Sequence, residues 1–384
     1  MTNIFELFSG IGVVIDEAIF AKESKPNGIQ KIVNSIKKQN IPVLEYENLP
    51  DDNEIPKLHS ISFLILDWNL SGIHPIPEAT IKDNIDFIKT LHNTCFIPLF
   101  IFSDEDTHTI EVQLSEHNIA IKNAPIFIKN KDDLKTAKKL SNEIANWVKR
   151  TPSIFVLKEW EKATRTAKTQ MLYDLSSIHP SWPSVLKKSI EKDGGDSNWN
   201  LMNSLQSNLS YRIVFPEFDD MIINSKKRGI TKEEIRRILE CERFIPNNKL
   251  PDYPFAGDIY EIEKGYYVNI RPDCDIIREK KDLYLLKGTI IEECKINSKS
   301  KQKKDRIVFV NGEFQEKINN CYIAFINGKI LCFCLRKLTI KKWTEIKSHR
   351  VGRILPPFIT KIQQKYSSYI QRQGLPSIPI EAIK

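Results

Sequence analysis

The chain has 384 residues, 41% of them hydrophobic and 28% charged, which is the composition of a globular protein with room for two or three domains. No run approaches the roughly 20 apolar residues of a membrane span, no basic stretch precedes the apolar residues at the N-terminus as in a signal peptide, and seven scattered cysteines read as the reduced thiols of a cytoplasmic protein. The formal charge of +8 divides into −5 over residues 1–150 and +13 over the remainder, so an acidic and a basic module with different partners are expected.

Residues 1–150 alternate strands with helices. Gly12 to Ile15 is a short apolar run ending in Asp16 and Glu17. Ile29, Ile32, Val33 and Ile36 carry a helical spacing, and Ile41 to Leu44 is a second strand. Phe63-Leu64-Ile65-Leu66 runs straight into Asp67, and a turn through Trp68 and Asn69 follows. Ile81, Ile85, Ile88 and Leu91 repeat the helical pattern. Phe96 to Phe102 is a fourth apolar run and ends in Ser103. Ile110 to Leu114 gives a short helix, and Pro125 to Ile128 is a fifth strand ending in Lys129. A helix from Asp133 to Val148 closes the module. This alternation predicts a parallel sheet covered on both faces, and such sheets place ligands outside the carboxyl ends of their strands. Those ends carry two carboxylates, one carboxylate, a hydroxyl and an ammonium. Clustered carboxylates call for a cation, and a hard divalent ion such as Mg²⁺ suits an all-oxygen set.

In these residues the module resembles a response-regulator receiver domain, of the kind found in bacterial conflict and anti-phage systems. The resemblance covers residues 10–150 and implies a flavodoxin-like sheet of order 2-1-3-4-5. It implies Asp67 as phospho-acceptor, and Asp16, Glu17, Asp67 and the carbonyl of Asn69 as Mg²⁺ ligands. Ser103 and Lys129 would then hold the phosphoryl group. Three departures are visible: Asn130 follows Lys129 where the family commonly has proline, Ile126 stands where an aromatic switch residue often sits, and Asp104 adds a negative charge beside Ser103.

Residues 151–250 read as a helical connector. Phe155 to Leu175 forms a long helix, Ser176 to Ser197 contains turns, Asn200 to Leu209 is a further helix, and Thr231 caps another with Glu234 at the capping-box position. Residues 251–384 form a basic, β-rich α+β module. Strands are expected from Gly257 to Tyr260 and over Tyr266–Ile270, Leu283–Leu286, Arg306–Val310, Cys321–Ile326 and Ile330–Arg336. Asn311-Gly312 and Asn327-Gly328 mark hairpin turns in a small barrel or curled sheet. Cys332 and Cys334 belong to a strand interior, and Asp273-Cys274-Asp275 to a structured turn. Lys299, Lys301, Lys303, Lys304 and Arg306 form a basic run. With Arg353 they are the candidate contacts to nucleic acid. A helix from Phe358 to Gln373 ends the chain.

The expected function is that of a signalling protein: a phospho-accepting or pseudo-receiver domain controls a basic output module. Its expected partner is a histidine-kinase-like or Hsp90-like ATPase, with nucleic acid as a further partner, no membrane, and a homodimer left open. The alternative is an effector nuclease or nucleic-acid-binding toxin regulated by the receiver.

Overall fold

The computed structural model describes residues 4–22, 24–51, 53–119, 125–192, 196–224, 229–278, 282–291, 314–372 and 380–382. It divides into two compact units, Met1–His179 with Gln206–Lys227, and Pro180–Leu205 with Arg228–Lys384. The segment 151–250 is thus shared between them. Among the described residues no helix is long and apolar enough to cross a membrane.

The first unit is a flavodoxin-like α/β fold. Its strands are β1 (Gly12–Ile15), β2 (Val43–Tyr46), β3 (Phe63–Leu66), β4 (Leu99–Ser103) and β5 (Ile126–Asn130). All pair in parallel, in the order β2-β1-β3-β4-β5. Successive strand side chains point to opposite faces, so each apolar strand feeds two cores. Val14, Phe63, Ile65, Phe100, Phe102 and Phe127 pack with helices α1 (Ile4–Leu7), α2 (Gly28–Lys37) and α5 (Ala137–Arg150). Val13, Ile15, Leu64, Leu66, Leu99, Ile101 and Ile126 pack with α3 (Glu78–Thr94) and α4 (Thr107–Glu116). Strands buried on both faces are therefore continuous apolar runs rather than alternating ones. Gly12 is required by packing, since a Cβ there would lie 2.3 Å from the Phe63 ring. The helix starts follow capping chemistry. Asn27 and Gln30 form a capping box on α2, and Asp106 and Thr136 cap α4 and α5. The long helix α6 (Pro152–Ile178) buries Ile154, Lys158, Ala167 and Met171, and Arg165 donates to the Ser9 carbonyl at 3.2 Å.

Several boundaries differ from the sequence expectation: β2 runs Val43–Tyr46 and not Ile41–Leu44, α5 starts at Ala137 and not Asp133, and the fourth and fifth strands are shifted as well, the last with consequences for the site. The fourth strand starts at Leu99, after Pro98, and leaves Phe96 exposed. The fifth runs two residues past Ile128, with Phe102 opposite Lys129 and Ser103 opposite Asn130. It stops at Asn130, whose side chain accepts the Asp132 amide at 2.9 Å and opens a tight turn.

The second unit is an eight-stranded antiparallel sheet, with order β10-β11-β12-β9-β8-β7-β13-β6. The strands are β6 (Phe244–Pro246), β7 (Asp258–Ile262), β8 (Gly265–Asn269), β9 (Asp282–Ile290), β10 (Phe314–Lys317), β11 (Asn320–Ile326), β12 (Lys329–Lys342) and β13 (Arg350–Ile354). Of the small barrel or curled sheet expected, the closed barrel is not seen: among the described residues the strands pair into one sheet with β10 and β6 at its two ends. The expected turn at Asn327-Gly328 is present, with φ of 51° and 68°; two left-handed residues match the strand twist in a two-residue hairpin. Gly257, at φ +90°, brings its Cα so close to β13 that a Cβ would lie 2.1 Å from the Ile354 carbonyl oxygen. Cys332 and Cys334 lie inside β12 as read, opposite Tyr322 and Asn320. Asp273-Cys274-Asp275 opens a short helix, Asp273–Arg278, where the Asp273 carboxylate accepts the Ala256 amide at 2.7 Å. The helix Phe358–Ile370 packs Phe358, Ile359 and Ile362 on the sheet. The strand expected at Arg306–Val310 and the turn at Asn311-Gly312 lie outside the described residues, as do the candidate contacts Lys299, Lys301, Lys303, Lys304 and Arg306.

Candidate functional site

The site lies at the carboxyl ends of β1, β3, β4 and β5. Gly12 to Ile15 pair in register with Phe63 to Leu66, and the Asp67 amide donates to the Ile15 carbonyl at 2.9 Å. Asp16 and Glu17 therefore leave β1 beside Asp67. Carboxylate oxygens of Asp16, Glu17 and Asp67 lie within 4.8 Å of one another. Asp16 and Asp67 are buried, at 0% and 2% exposure. Ser103, the last residue of β4, is also buried and hydrogen-bonds Asp67.

The ammonium that meets these acids belongs to Lys131. Its Nζ lies 2.8 Å from Asp16 Oδ2 and 2.8 Å from Asp67 Oδ2. Lys129, expected in that role, pairs instead with Asp133 at 3.5 Å and Glu143 at 3.2 Å. The two-residue extension of β5 is the cause. It keeps Lys129 within the strand, on the same side as Phe127, whereas Lys131 follows the Asn130 turn and reaches the rim. Ile126 and Phe127 are both buried, in the cores on opposite faces of the sheet, so neither occupies the exposed place of a movable aromatic.

The electrostatics follow from burial and crowding. Burial and the neighbouring Asp67 push Glu17 up to about 8, so it holds a proton at neutral pH. Burial raises Asp16, with the Lys131 charge opposing. Burial acts to raise Asp67 too, but the Lys131 ammonium and hydrogen bonds from Glu17, Lys131 and Ser103 outweigh it and hold Asp67 below the usual carboxylate range. Burial works against the charged form of Lys131, and the Asp67 and Asp16 charges reverse that and raise it. The two crowded acids are thus pushed in opposite directions, Asp67 toward its ionised form and Glu17 toward its protonated form. Glu17 Oε2 is buried without a hydrogen-bond partner. An all-oxygen set containing a buried, unbonded carboxyl oxygen fits a hard divalent cation.

Asn69, two residues past Asp67, is buried beside it. Its amide points to Asp67 Oδ1 at 3.4 Å, and its carbonyl accepts a 3.4 Å contact from the Gly72 amide. The Asn69 side chain donates to the Ile73 carbonyl at 3.1 Å and to Glu105 at 3.3 Å. His74 Nδ1 lies 3.0 Å from the same Glu105 carboxylate. This tie between the loops after β3 and β4 has no signature in the sequence, since its members come from two segments that only the fold brings together. In the second unit, Arg353 is held by Asp258 at 2.5 Å and donates to the Tyr253 carbonyl at 2.9 Å. Only 12% of its side chain is exposed, so it is a bracing residue and not part of a free basic rim.

No family model matches the sequence, and no curated protein matches it. Among solved structures, a diflavin flavoprotein A3 from Nostoc sp. is similar at 16% identity with a TM-score of 0.24, over 37% of this chain and 94% of that one. A likeness at that level carries no weight on function. The fold and the rim define the class: a flavodoxin-like α/β domain with an acidic site at the carboxyl edge of its sheet, joined to an antiparallel β unit.

Proposed function

We propose that the first unit is a receiver-type domain in which Asp67 accepts a phosphoryl group. The observation that carries this reading is the Lys131 ammonium joined to both Asp67 and Asp16, beside a Glu17 carboxyl with an unbonded buried oxygen. Asp16, Glu17, Asp67 and the Asn69 carbonyl would hold Mg²⁺, which when bound supplies positive charge to the phosphoryl oxygens. The chain's own groups do the rest. An ionised Asp67 oxygen attacks phosphorus, the bond to the donor's leaving group breaks, and that group departs with the electron pair. Lys131 and the Ser103 hydroxyl bind the equatorial oxygens where negative charge gathers.

The expected result is a covalent adduct with acetyl phosphate, and a stable complex with beryllofluoride, both requiring Mg²⁺. Asp67→Asn is expected to abolish both, read by intact mass and by Mg²⁺-dependent thermal shift. Absence of any adduct and of any beryllofluoride effect in the unmodified protein would make the unit a pseudo-receiver, a docking fold without phosphoryl chemistry. The physiological donor we infer is a histidine-kinase-like or Hsp90-like ATPase, in a bacterial defence setting.

The output reading rests on charge. The +13 of residues 151–384 favours a polyanion partner. Binding of full-length protein to single- or double-stranded nucleic acid is expected to be indifferent to sequence and to weaken by more than tenfold between about 50 and 200 mM salt. A gel shift at low salt with no retarded species would move the output to a protein partner. The alternative of a metal-dependent nuclease has less support: among the described residues the only acidic cluster suited to a metal is the one around Asp67.

A further inference from the structure

The antiparallel sheet of the second unit has two unlike sides. The helix Phe358–Ile370 packs on the side of Ile259, Val268, Leu286 and Phe333. On the other side Trp343 and Ile346 cap one corner, over Tyr260, Leu283 and Leu285. The strand register fixes what else this second side carries, since paired residues share a face and so do residues two apart along a strand. Lys317 pairs with Asn320, and Asn320 with Cys334. Lys287 pairs with Tyr267 and lies level with the irregular step of β12 that follows Phe333. One row thus crosses four strands from Lys317 to Lys287, about 14 Å at the usual strand spacing. Lys341, opposite Leu283, stands on the same side four residues along β9 from Lys287, about 13 Å away in that direction. Lys287 and Lys317 are exposed, and Lys341 is partly so. Two tyrosines of this side hold two of the lysines: Lys287 Nζ lies 6.0 Å from the Tyr267 ring centroid, and Lys317 Nζ 5.7 Å from that of Tyr322. Among the described strand positions of this side the one acid is Asp258, which is buried and bound by Arg350 and Arg353.

We propose that this side of the sheet is the surface that holds nucleic acid, with Lys287, Lys317 and Lys341 each meeting a separate phosphate. The proposal rests on the polyanion reading of residues 151–384 and gives it a place. The exposed charges at these strand positions are of one sign, which a polyanion complements. Their chemistry favours phosphate over carboxylate. A lysine meets phosphate as a point charge from any direction, whereas a carboxylate is best matched by the planar fork of arginine, and the arginines of this side are already committed to Asp258. A protein partner would also need an apolar anchor at the centre of its footprint. The partly exposed positions between the lysines are Asn320, Cys334 and Thr339, none of them a large apolar side chain. Cation–π contact with Tyr267 and Tyr322 narrows the range of the two outer ammonium groups before binding, so less freedom is lost when the phosphates arrive. Point charges of this kind read no base edge, which fits binding that is indifferent to sequence.

The test is fluorescence anisotropy of the full-length chain with labelled single- and double-stranded oligonucleotides of mixed sequence, titrated between about 50 and 200 mM salt. The variant Lys287→Gln/Lys317→Gln/Lys341→Gln is expected to weaken binding at least about tenfold at the low-salt end. It is also expected to lower the slope of log affinity against log salt by about two to three, since each phosphate contact contributes close to one. The comparison variant Lys361→Gln/Lys365→Gln/Arg372→Gln removes the same charge from the helix on the other side and the residues just after it, and is expected to keep the slope of the unmodified protein. An unchanged melting curve checks the fold of both, and the single variant Lys287→Gln, expected to lower the slope by about one, gives a second measure. Unmodified protein that binds neither oligonucleotide overturns the polyanion reading and this surface with it. Unmodified protein that binds while the two triple variants lose affinity equally, or while neither loses any, overturns the surface alone. Tighter binding of polyglutamate than of either oligonucleotide overturns it in favour of an acidic protein partner.

Discussion

Lys131→Met is expected to destabilise the protein by about 3–5 kcal/mol at neutral pH, whereas Lys129→Met changes stability by less than about 1 kcal/mol. Lys131 lies 2.8 Å from each of two carboxylates that are themselves almost wholly buried. Removing it leaves Asp16 and Asp67 facing each other and Glu17 with no cation between them, and an unpaired buried charge is what makes such deletions costly. Lys129 pairs with Asp133 and Glu143, of which 59% and 31% of the side chain is exposed; solvent screens that pair. Urea denaturation of the two variants measures the difference directly. Added Mg²⁺ should recover part of the Lys131→Met loss, because a divalent cation offsets the same charge. Two variants of equal stability would mean that the carboxylates are not held together by Lys131. Lys131→Met should also lose beryllofluoride binding, and Lys129→Met should keep it.

The Lys129 expectation shows where the sequence is informative and where it is not. Phe63 to Leu66 ending in Asp67 was legible because four buried residues and a charged one cannot share a strand environment. The same contrast exposed Asp16 and Glu17 after β1 and Ser103 after β4. In β5 that contrast is blurred. Ile128 is followed by Lys129, which continues the strand because its long side chain lies along the sheet and puts its ammonium beside α5 in partial solvent. The true stop, Asn130, was present as a turn-forming residue, and reading it as the boundary would have placed Lys131 at the rim. Chain breaks are signalled by the backbone preferences of Asn and Gly more than by the arrival of a charge.

The second unit was less legible for a different reason. Its hairpin turns are local, and Asn327-Gly328 announced one. Its sheet order is not local: β13 sits between β7 and β6, joining Arg350 and Arg353 to Asp258 across more than ninety residues. Arg353 looked like a free basic residue because the acid that neutralises it is so distant in sequence.

Without metal, the protein is expected to lose stability as pH rises from about 5 to 8, and Mg²⁺ is expected to reverse that trend. Glu17 is held at about 8 in the folded chain against 4.5 for an ordinary glutamate. Between those values the folded state keeps a proton that the unfolded state has released, so raising the pH favours unfolding. Asp16, raised by burial, acts in the same direction. Asp67 has the opposite sign: its folded value is lowered, so its contribution is present above the ordinary aspartate range and is lost only as pH falls through the folded value. Lys131 is raised, and its contribution fades only in alkali, above the ordinary lysine range. Glu17 and Asp16 therefore set the slope across the neutral window. Glu17 is only about half buried, so after allowance for solvent screening the loss over that window is about 1–2 kcal/mol. Mg²⁺ needs the ionised form of Glu17 and must displace its proton, so metal affinity rises with pH up to about 8 and each binding event below that releases close to one proton. Melting temperatures in EDTA and in Mg²⁺, taken from pH 5 to 8.5, measure both slopes. Glu17→Gln carries no titrating proton, so in EDTA its curve is expected to be flatter than that of the unmodified protein, and Mg²⁺ should stabilise it little. A metal-free melting temperature that climbs from pH 5 to 8 in both proteins alike would show that Glu17 is ionised in the folded chain, and with it the case for a proton standing in the metal's place would fall.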